Sequence, residues 1–178
     1  MIGGQTGPAL EIRPATVDDV DDVAQVHVEA WRSGYASLMP ADYLASLDWE
    51  ARAATWRQHL ENPSAGVGYL VAARGAVLGF AAFGPVRDQD LADESVGEIY
   101  ALNVHSSSWS TGAGSALLLA ALRALGQYDA VVLWVLAENR RARRFYERHG
   151  FRLDGARKLL AVADVDLPEL RYRRLSRR

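Results

Sequence analysis

Apolar positions along the chain change period several times, and each change predicts an element. Residues 10–13 read as a short strand closed by Pro14. Behind Asp18 and Asp19, the residues Val20, Val23, Ala24, Val26, His27 and Ala30 recur at helical spacing, with early acids suited to a helix N-terminus. That helix is expected to fade near Gly34. A short helix over 40–47 and a longer one over 49–61 follow, the latter stopped by Asn62-Pro63. The period then shortens. Two apolar runs, 68–73 and 77–83, flank Arg74-Gly75 as a hairpin. Residues 87–94 are charged and predict an exposed loop, and 98–104 predict a strand. After a small-residue loop, leucines from Ser115 to Leu125 give a helix with a broad apolar face, stopped by Gly126. A buried strand at 130–136, a helix at 139–149 and a strand beginning at 151–153 come next. Residues 159–165 and 170–175 are the last two strand candidates.

Strand, helices, hairpin, strand, helix, strand, helix and strands, in that order, predict an α/β fold: a mixed sheet with helices on both faces. Residues 1–9, rich in glycine and small polar side chains, read as a flexible leader. Residues 10–178 read as a single domain, with no repeat and no linker long enough to divide them.

Composition narrows the chemistry. The 178 residues carry a formal net charge of -2, which argues against a protein that neutralises many phosphates along a nucleic acid. The basic end, RYRRLSRR, is short, and its alternation fits a charged edge strand better than a DNA-binding arm. There is no cysteine, so thiol nucleophiles, disulfides and Cys-ligated metals are excluded. The four histidines form no HxH or HExxH pattern, so no metal is expected. No apolar run approaches membrane-span length, and the first residues do not read as a signal peptide. The expectation is a soluble, cytoplasmic protein that does not engage a membrane.

The sharpest local feature is the passage 98–119, where a strand enters a glycine-containing turn and then a leucine-rich helix. Gly112 and Gly114 remove side chains where a ligand can approach backbone N–H groups, and the start of a helix favours phosphate. Thr111 and Ser115 offer hydroxyls. The alternative is a tight turn that merely starts a helix. No Gly-Lys-Ser/Thr follows, and G-x-G-x-x-G is absent, so neither a Walker A loop nor a dinucleotide fingerprint is present. Pyrophosphate binding without those signatures leaves coenzyme A as a natural candidate.

Two segments carry a resemblance. EIYALNVHSSSWSTGAGSALLLAAL (98–122) is similar to the strand–turn–helix cofactor motif of the GCN5-related N-acetyltransferase (GNAT) superfamily. VVLWVLAENRRARRFYERHGFRLDG (131–155), with Asn139, Ala142, Phe145, Tyr146 and Gly150-Phe151 in order, resembles that family's following strand–helix–strand motif. IRPATVDDVDDVAQVHVEAWRSGY and LRYRRL also resemble it, so the likeness covers nearly all of the chain after the leader. The resemblance implies an acyl-CoA N-acyltransferase fold with a mostly antiparallel central sheet of six to seven strands, splayed at the middle strand to admit acetyl-CoA. It implies that Leu102 and Val104 present backbone groups to the pantetheine and acetyl carbonyl. Gly112, Ala113, Gly114 and Ser115 would then present N–H groups to the pyrophosphate, with Asn139 near the pantetheine arm. The chain departs from the pattern within the loop: Trp109 stands where Gln or Arg is usual, Ser110 and Thr111 replace a glycine and a basic residue, and Ser106 replaces a proline. Phosphate binding is therefore expected to rest on backbone and hydroxyl groups without a nearby cation.

The activity implied is transfer of an acetyl group from acetyl-CoA to a primary amine. Amine transfer requires one group to take a proton from the ammonium and another to protonate the departing thiolate. Tyr146 sits where the resemblance places a general acid, and a phenol stays protonated at neutral pH. The alternative for Tyr146 is packing beside Phe145. Glu98, at the start of the central strand, is the expected base, with Glu94 a weaker choice and a solvated strand-end carboxylate the alternative. Strand alternation is expected to put Glu98, Tyr100, Leu102 and Val104 on one face. Trp31, Arg32 and Tyr35, with Tyr100 and Trp134, are candidates for the acceptor pocket or for core. Without cysteine, direct attack is expected rather than a Cys-linked acyl-enzyme. A homodimer is a family-level expectation, with 159–165 as its candidate edge. The alternative function is a noncatalytic acyl-CoA-binding or regulatory module with the same fold.

Overall fold

A computed structural model describes residues 8–92 and 94–176. The expected leader, 1–9, lies outside the described residues except for Pro8 and Ala9. The elements are β1 (Glu11–Pro14), α1 (Val20–Gly34), α2 (Ala41–Ser46), α3 (Trp49–Glu61), β2 (Gly68–Arg74), β3 (Ala76–Pro85), β4 (Val96–Val104), α4 (Ala113–Ala124), β5 (Ala130–Leu136), α5 (Arg140–Arg148), β6 (Arg152–Val162) and β7 (Val165–Leu175). The seven strands form one sheet in the order β1-β2-β3-β4-β5-β7-β6. Every neighbouring pair is antiparallel except β4 and β5. A parallel pair needs a crossover, and α4 provides it.

Helices cover both faces because their apolar stripes have nowhere else to go. On one face, Leu117, Leu118 and Ala121 of α4, with Leu125 at its C-cap, meet Leu133 and Val135 of β5, Phe151 and Tyr172. On the other, Val20, Val23, Ala24 and Val26 of α1 and Trp56 of α3 meet Val71, Phe80 and Ala82. Entry into α1 is fixed by Asp19. Its carboxylate accepts from Thr16 N at 2.8 Å and receives both terminal nitrogens of Arg13 at 2.7 Å, tying the end of β1 to the helix start.

Three expectations change. The pieces 151–153 and 159–165 do not form separate strands. Residues 152–162 form β6, and the reversal into β7 falls inside the apolar run, at Ala163-Asp164, where Ala163 adopts φ 50°. The expected dimer edge 159–165 is thus a hairpin tip, and hydrophobicity hid the turn. Residues 87–94 are not simply exposed: Leu91 is buried with Val96, Ala130 and Val132, and Asp88 and Asp90 pair with Arg171.

The third change sets the geometry of the site. Across β3 and β4, Ala82 pairs with Ala101 but the next residue, Phe83, pairs with Ile99, so Tyr100 is an extra residue in a β-bulge. A bulge shifts the side-chain phase. Tyr100 and Ala101 both pack on the α1/α3 side, while Ile99, Leu102 and Val104 belong to the α4/α5 core. Glu98, Tyr100, Leu102 and Val104 therefore do not share one face. Pairing between β4 and β5 stops at the same place: it runs from Val96↔Ala130 to Ile99↔Leu133, and beyond it the two strands part.

Candidate active site

The opening between β4 and β5 has a backbone edge. His105 N donates to Leu78 O on the β3 side at 2.8 Å, so the carbonyl of the same peptide, that of Val104, points the other way, into the gap. By strand alternation, the N–H and C=O groups of Leu102 point into it as well. Trp109 Nε1 donates to Val104 O at 2.8 Å and covers one end of this edge.

Below the edge, the loop enters α4 through Gly112, which has φ 95° and acts as the N-cap. The left-handed conformation is inexpensive only for glycine. The first intrahelical bond is Ala116 N to Gly112 O, leaving the N–H groups of Ala113, Gly114 and Ser115 without a helical acceptor, and no side chain caps them. Gly114 faces α5: a Cβ there would lie 3.6 Å from Val104 Cγ2 and 3.7 Å from Phe145 Cζ. Ser110 is also left-handed, at φ 63°. The Thr111 hydroxyl donates to Ser108 O at 2.7 Å, so its proton is committed within the loop. Ser106, at the position of the expected proline, is held instead by Glu29 of α1, which accepts from its backbone N–H at 3.0 Å and from its hydroxyl. Asn139 caps α5 by accepting from Ala142 N at 3.0 Å.

Tyr146 of α5 is buried between Phe145 and Phe151. Burial, with a smaller contribution from Tyr35, pushes its phenol above the ordinary value of 10.0. Tyr35 arrives from the opposite helical layer, at the end of α1, and burial together with Glu169 pushes it up to about 12. Trp31 meets Tyr35 edge-on, with ring centroids 5.3 Å apart. Arg32 is directed elsewhere: it donates to the carbonyls of Leu44, Ala45 and Leu47 and closes the end of α2. Trp31 and Tyr35 pack against the cluster of Met39, Leu44, Leu136 and Val162, and Arg32 supports the segment behind them.

The face across the sheet from α4 and α5 carries paired charges. Glu98 is 1% exposed and is gripped by Arg87, which donates from its backbone N at 2.9 Å and from Nη2 at 2.6 Å. The Arg87 guanidinium also lies over the Tyr100 ring at 4.1 Å, and the Tyr100 hydroxyl donates to Pro85 O. Trp134 Nε1 donates to Asp88 at 2.9 Å. Arg171, itself buried, joins Asp88, Asp90 and Asp154. Glu169 is paired, among the described residues, with Lys158 at 3.7 Å, and burial raises its carboxyl above the ordinary value. Glu94, the weaker base candidate, is paired with Arg173 at 2.6 Å.

Sequence reasoning missed Glu169 and Arg87. Glu169 lies in a strand read only from 170 onward, and Arg87 in a segment read as solvated. A signal for Glu169 existed: it alternates with Arg171 and Arg173 opposite the buried Leu170 and Tyr172. Among the described residues, no group of three potential metal ligands is present and no helix is long and apolar enough to cross a membrane.

The model of the Acetyltransferase (GNAT) family matches residues 23–151. The chain belongs to this family. The uncharacterized N-acetyltransferase YuaI of Bacillus subtilis is 34% identical over 132 residues, 73% of each chain. Among solved structures, the PaiA N-acetyltransferase of Thermoplasma acidophilum in complex with coenzyme A superimposes with a TM-score of 0.71 at 18% identity, covering 94% of this chain and 99% of that one. The yncA structure of Salmonella typhimurium, solved with its cofactor acetyl-CoA, gives 0.68 at 20% identity and 95% of each chain. These likenesses establish the GNAT fold, and the splayed β4/β5 pair, the bulge at Tyr100 and the glycine-started α4 are this chain's version of it.

Proposed function

We propose that the protein transfers an acetyl group from acetyl-CoA to a primary amine by direct attack. The observation that carries this reading is the β4/β5 opening, with unpaired backbone on one side, free N–H groups of α4 at one end and the buried Tyr146 phenol beneath. An acyl-CoA lies along the Leu102–Val104 edge, and the N–H groups of Ala113, Gly114 and Ser115 receive phosphate oxygens. The amine enters from the opposite face, past Trp31, Tyr35, Tyr100 and Trp134. It attacks the thioester carbonyl, the C–S bond breaks, and the Tyr146 hydroxyl gives its proton to the departing thiolate, its phenolate being reprotonated by the second proton that the attacking nitrogen loses in becoming an amide. With no cysteine in the chain, no Cys-linked intermediate intervenes.

A carboxylate takes the proton from the incoming ammonium, directly or through water. Glu98 can do so only if Arg87 withdraws. Glu169 is held more loosely, by Lys158 at 3.7 Å, and a carboxyl raised by burial is the better proton acceptor. Glu169 is therefore the favoured base, with Glu98 fixing the loop that carries Arg87 and Asp88. Thiol release from acetyl-CoA against a panel of primary amines, alongside calorimetric binding of acetyl-CoA, tests the reading. Amine-dependent release is expected. Tight acetyl-CoA binding with no release for any amine would favour a noncatalytic acyl-CoA-binding module instead.

A further inference from the structure

The loop before α4 carries no lysine or arginine, so a cation at the cofactor phosphates has to come from elsewhere. Arg141 of α5 lies there. Its guanidinium carbon sits 3.3 Å from the centre of the Trp109 ring. Four residues on, the same helix face presents Phe145, whose ring lies against Gly114. Arg141 and Phe145 thus meet the two ends of the 109–114 turn.

Among the described residues, Arg141 has no carboxylate within ion-pair distance. Arg143, two residues on, is instead committed within the fold: it donates to the Tyr172 hydroxyl at 3.0 Å and to Ala137 O at 2.9 Å. Partial burial pushes Arg141 below the ordinary value, as expected for a cation that has lost water without gaining a counter-ion. Stacking uses the flat face of a guanidinium and leaves its in-plane N–H donors free for a phosphate. The indole underneath is fixed by its own bond to Val104 O. The unusual Trp109 is thus a platform that holds a positive charge beside the turn.

We propose that Arg141, laid on Trp109, binds a phosphate group of the acyl-CoA and supplies the cation that the 109–114 turn lacks. This rests on the acyl-CoA reading above. Calorimetry with coenzyme A, dephospho-coenzyme A and pantetheine tests it on the wild type, R141A, R141K and W109L. R141A is expected to weaken coenzyme A binding by roughly 10- to 100-fold, as for loss of a hydrogen bond to a charged group. R141K, with charge but no stacking plane, and W109L, with charge but no platform, are expected to fall between. Pantetheine, which has no phosphate, is expected to bind wild type and R141A alike. Loss that persists with dephospho-coenzyme A assigns the contact to the pyrophosphate, and loss that vanishes with it assigns the contact to the 3′-phosphate. Wild-type affinity of R141A for coenzyme A, or an equal loss with pantetheine, overturns the proposal while leaving the acyl-CoA reading intact. Failure of the wild type to bind coenzyme A overturns both. Arg141 is exposed in its outer part, so melting temperatures close to wild type should accompany the substitution.

Discussion

Trp109 reaches back five residues to donate its indole N–H to the carbonyl of Val104, closing the turn that leads from β4 into α4. The bond occupies one acceptor on the open edge of β4 and leaves the Val104 N–H and both backbone groups of Leu102 facing the gap. W109F keeps a ring but removes the donor. A half-buried carbonyl then loses its partner, and stability should fall by about 1 kcal/mol. Chemical denaturation of the two proteins checks this, and an unchanged midpoint would show that the bond contributes nothing to the fold.

Gly112 and Gly114 should separate folding from binding. At Gly112, φ 95° penalises any side chain, so G112A is expected to lose about 1 kcal/mol or more. At Gly114, a methyl meets only ordinary van der Waals distances, so G114A should melt like the wild type. Its added carbon still stands between Val104, Phe145 and the N–H groups of α4. Weaker coenzyme A binding with unaltered melting is expected for G114A, and calorimetry beside thermal denaturation reads both.

Y146F removes the proton donor and little else, since its ring contacts with Phe145 and Phe151 survive. The expected result is a fall in turnover of roughly 100-fold or more with acetyl-CoA affinity preserved. Turnover equal to wild type in single-turnover assays would remove Tyr146 from the acid role.

Glu169 and Glu98 should respond differently to the same change. A base must be ionised, and burial raises the pH at which Glu169 ionises, so the wild-type rate should fall as pH drops through that raised value. E169Q should lower the rate and abolish this acid limb. E98Q should instead weaken the attachment of Arg87 and lower the melting temperature, leaving the shape of the pH profile as it was. The reverse pattern would return the role to Glu98.

His27 gives a pH dependence of stability independent of catalysis. Burial, with a smaller push from Arg52, lowers its imidazole from 6.5 to about 3, among the rings of Trp31, Trp56 and Phe80. It is neutral in the fold and takes a proton on unfolding. Its contribution is fully present above pH 6.5 and lost as pH falls toward 3, with a slope approaching 1.4 kcal/mol per pH unit. H27Q, which keeps an acceptor for Trp56 Nε1, should flatten that slope in denaturation curves between pH 6 and 4.

The helices and most strands were legible because their apolar spacing answers to local geometry. The leucines of α4 and the alternating acids and valines of α1 need no tertiary information. The glycine turn was legible for the same reason: Gly112 is required by its own φ. What escaped depends on partners distant in sequence. Nothing local announces that Arg87 will close on Glu98, eleven residues away, or that Arg171 will join Asp88 and Asp90. The Arg141–Trp109 stack escaped likewise, so a turn without its own base looked uncharged. The β6–β7 reversal escaped because Ala163 stands where a turn residue was sought.

The bulge at Tyr100 lets a single strand serve two masters. Before it, Glu98 faces away from α4 and α5; after it, Leu102 and Val104 face those helices while their backbone lines the β4/β5 opening. On the proposed reading, a change of side chain at 100 acts on the acceptor side, while the backbone that would carry the acyl donor keeps its place. Deleting one residue at the bulge would have the opposite effect. It would restore plain alternation with Leu102 and Val104 still facing α4 and α5, but remove the local bend at the point where β4 parts from β5, and so alter both sides of the opening together.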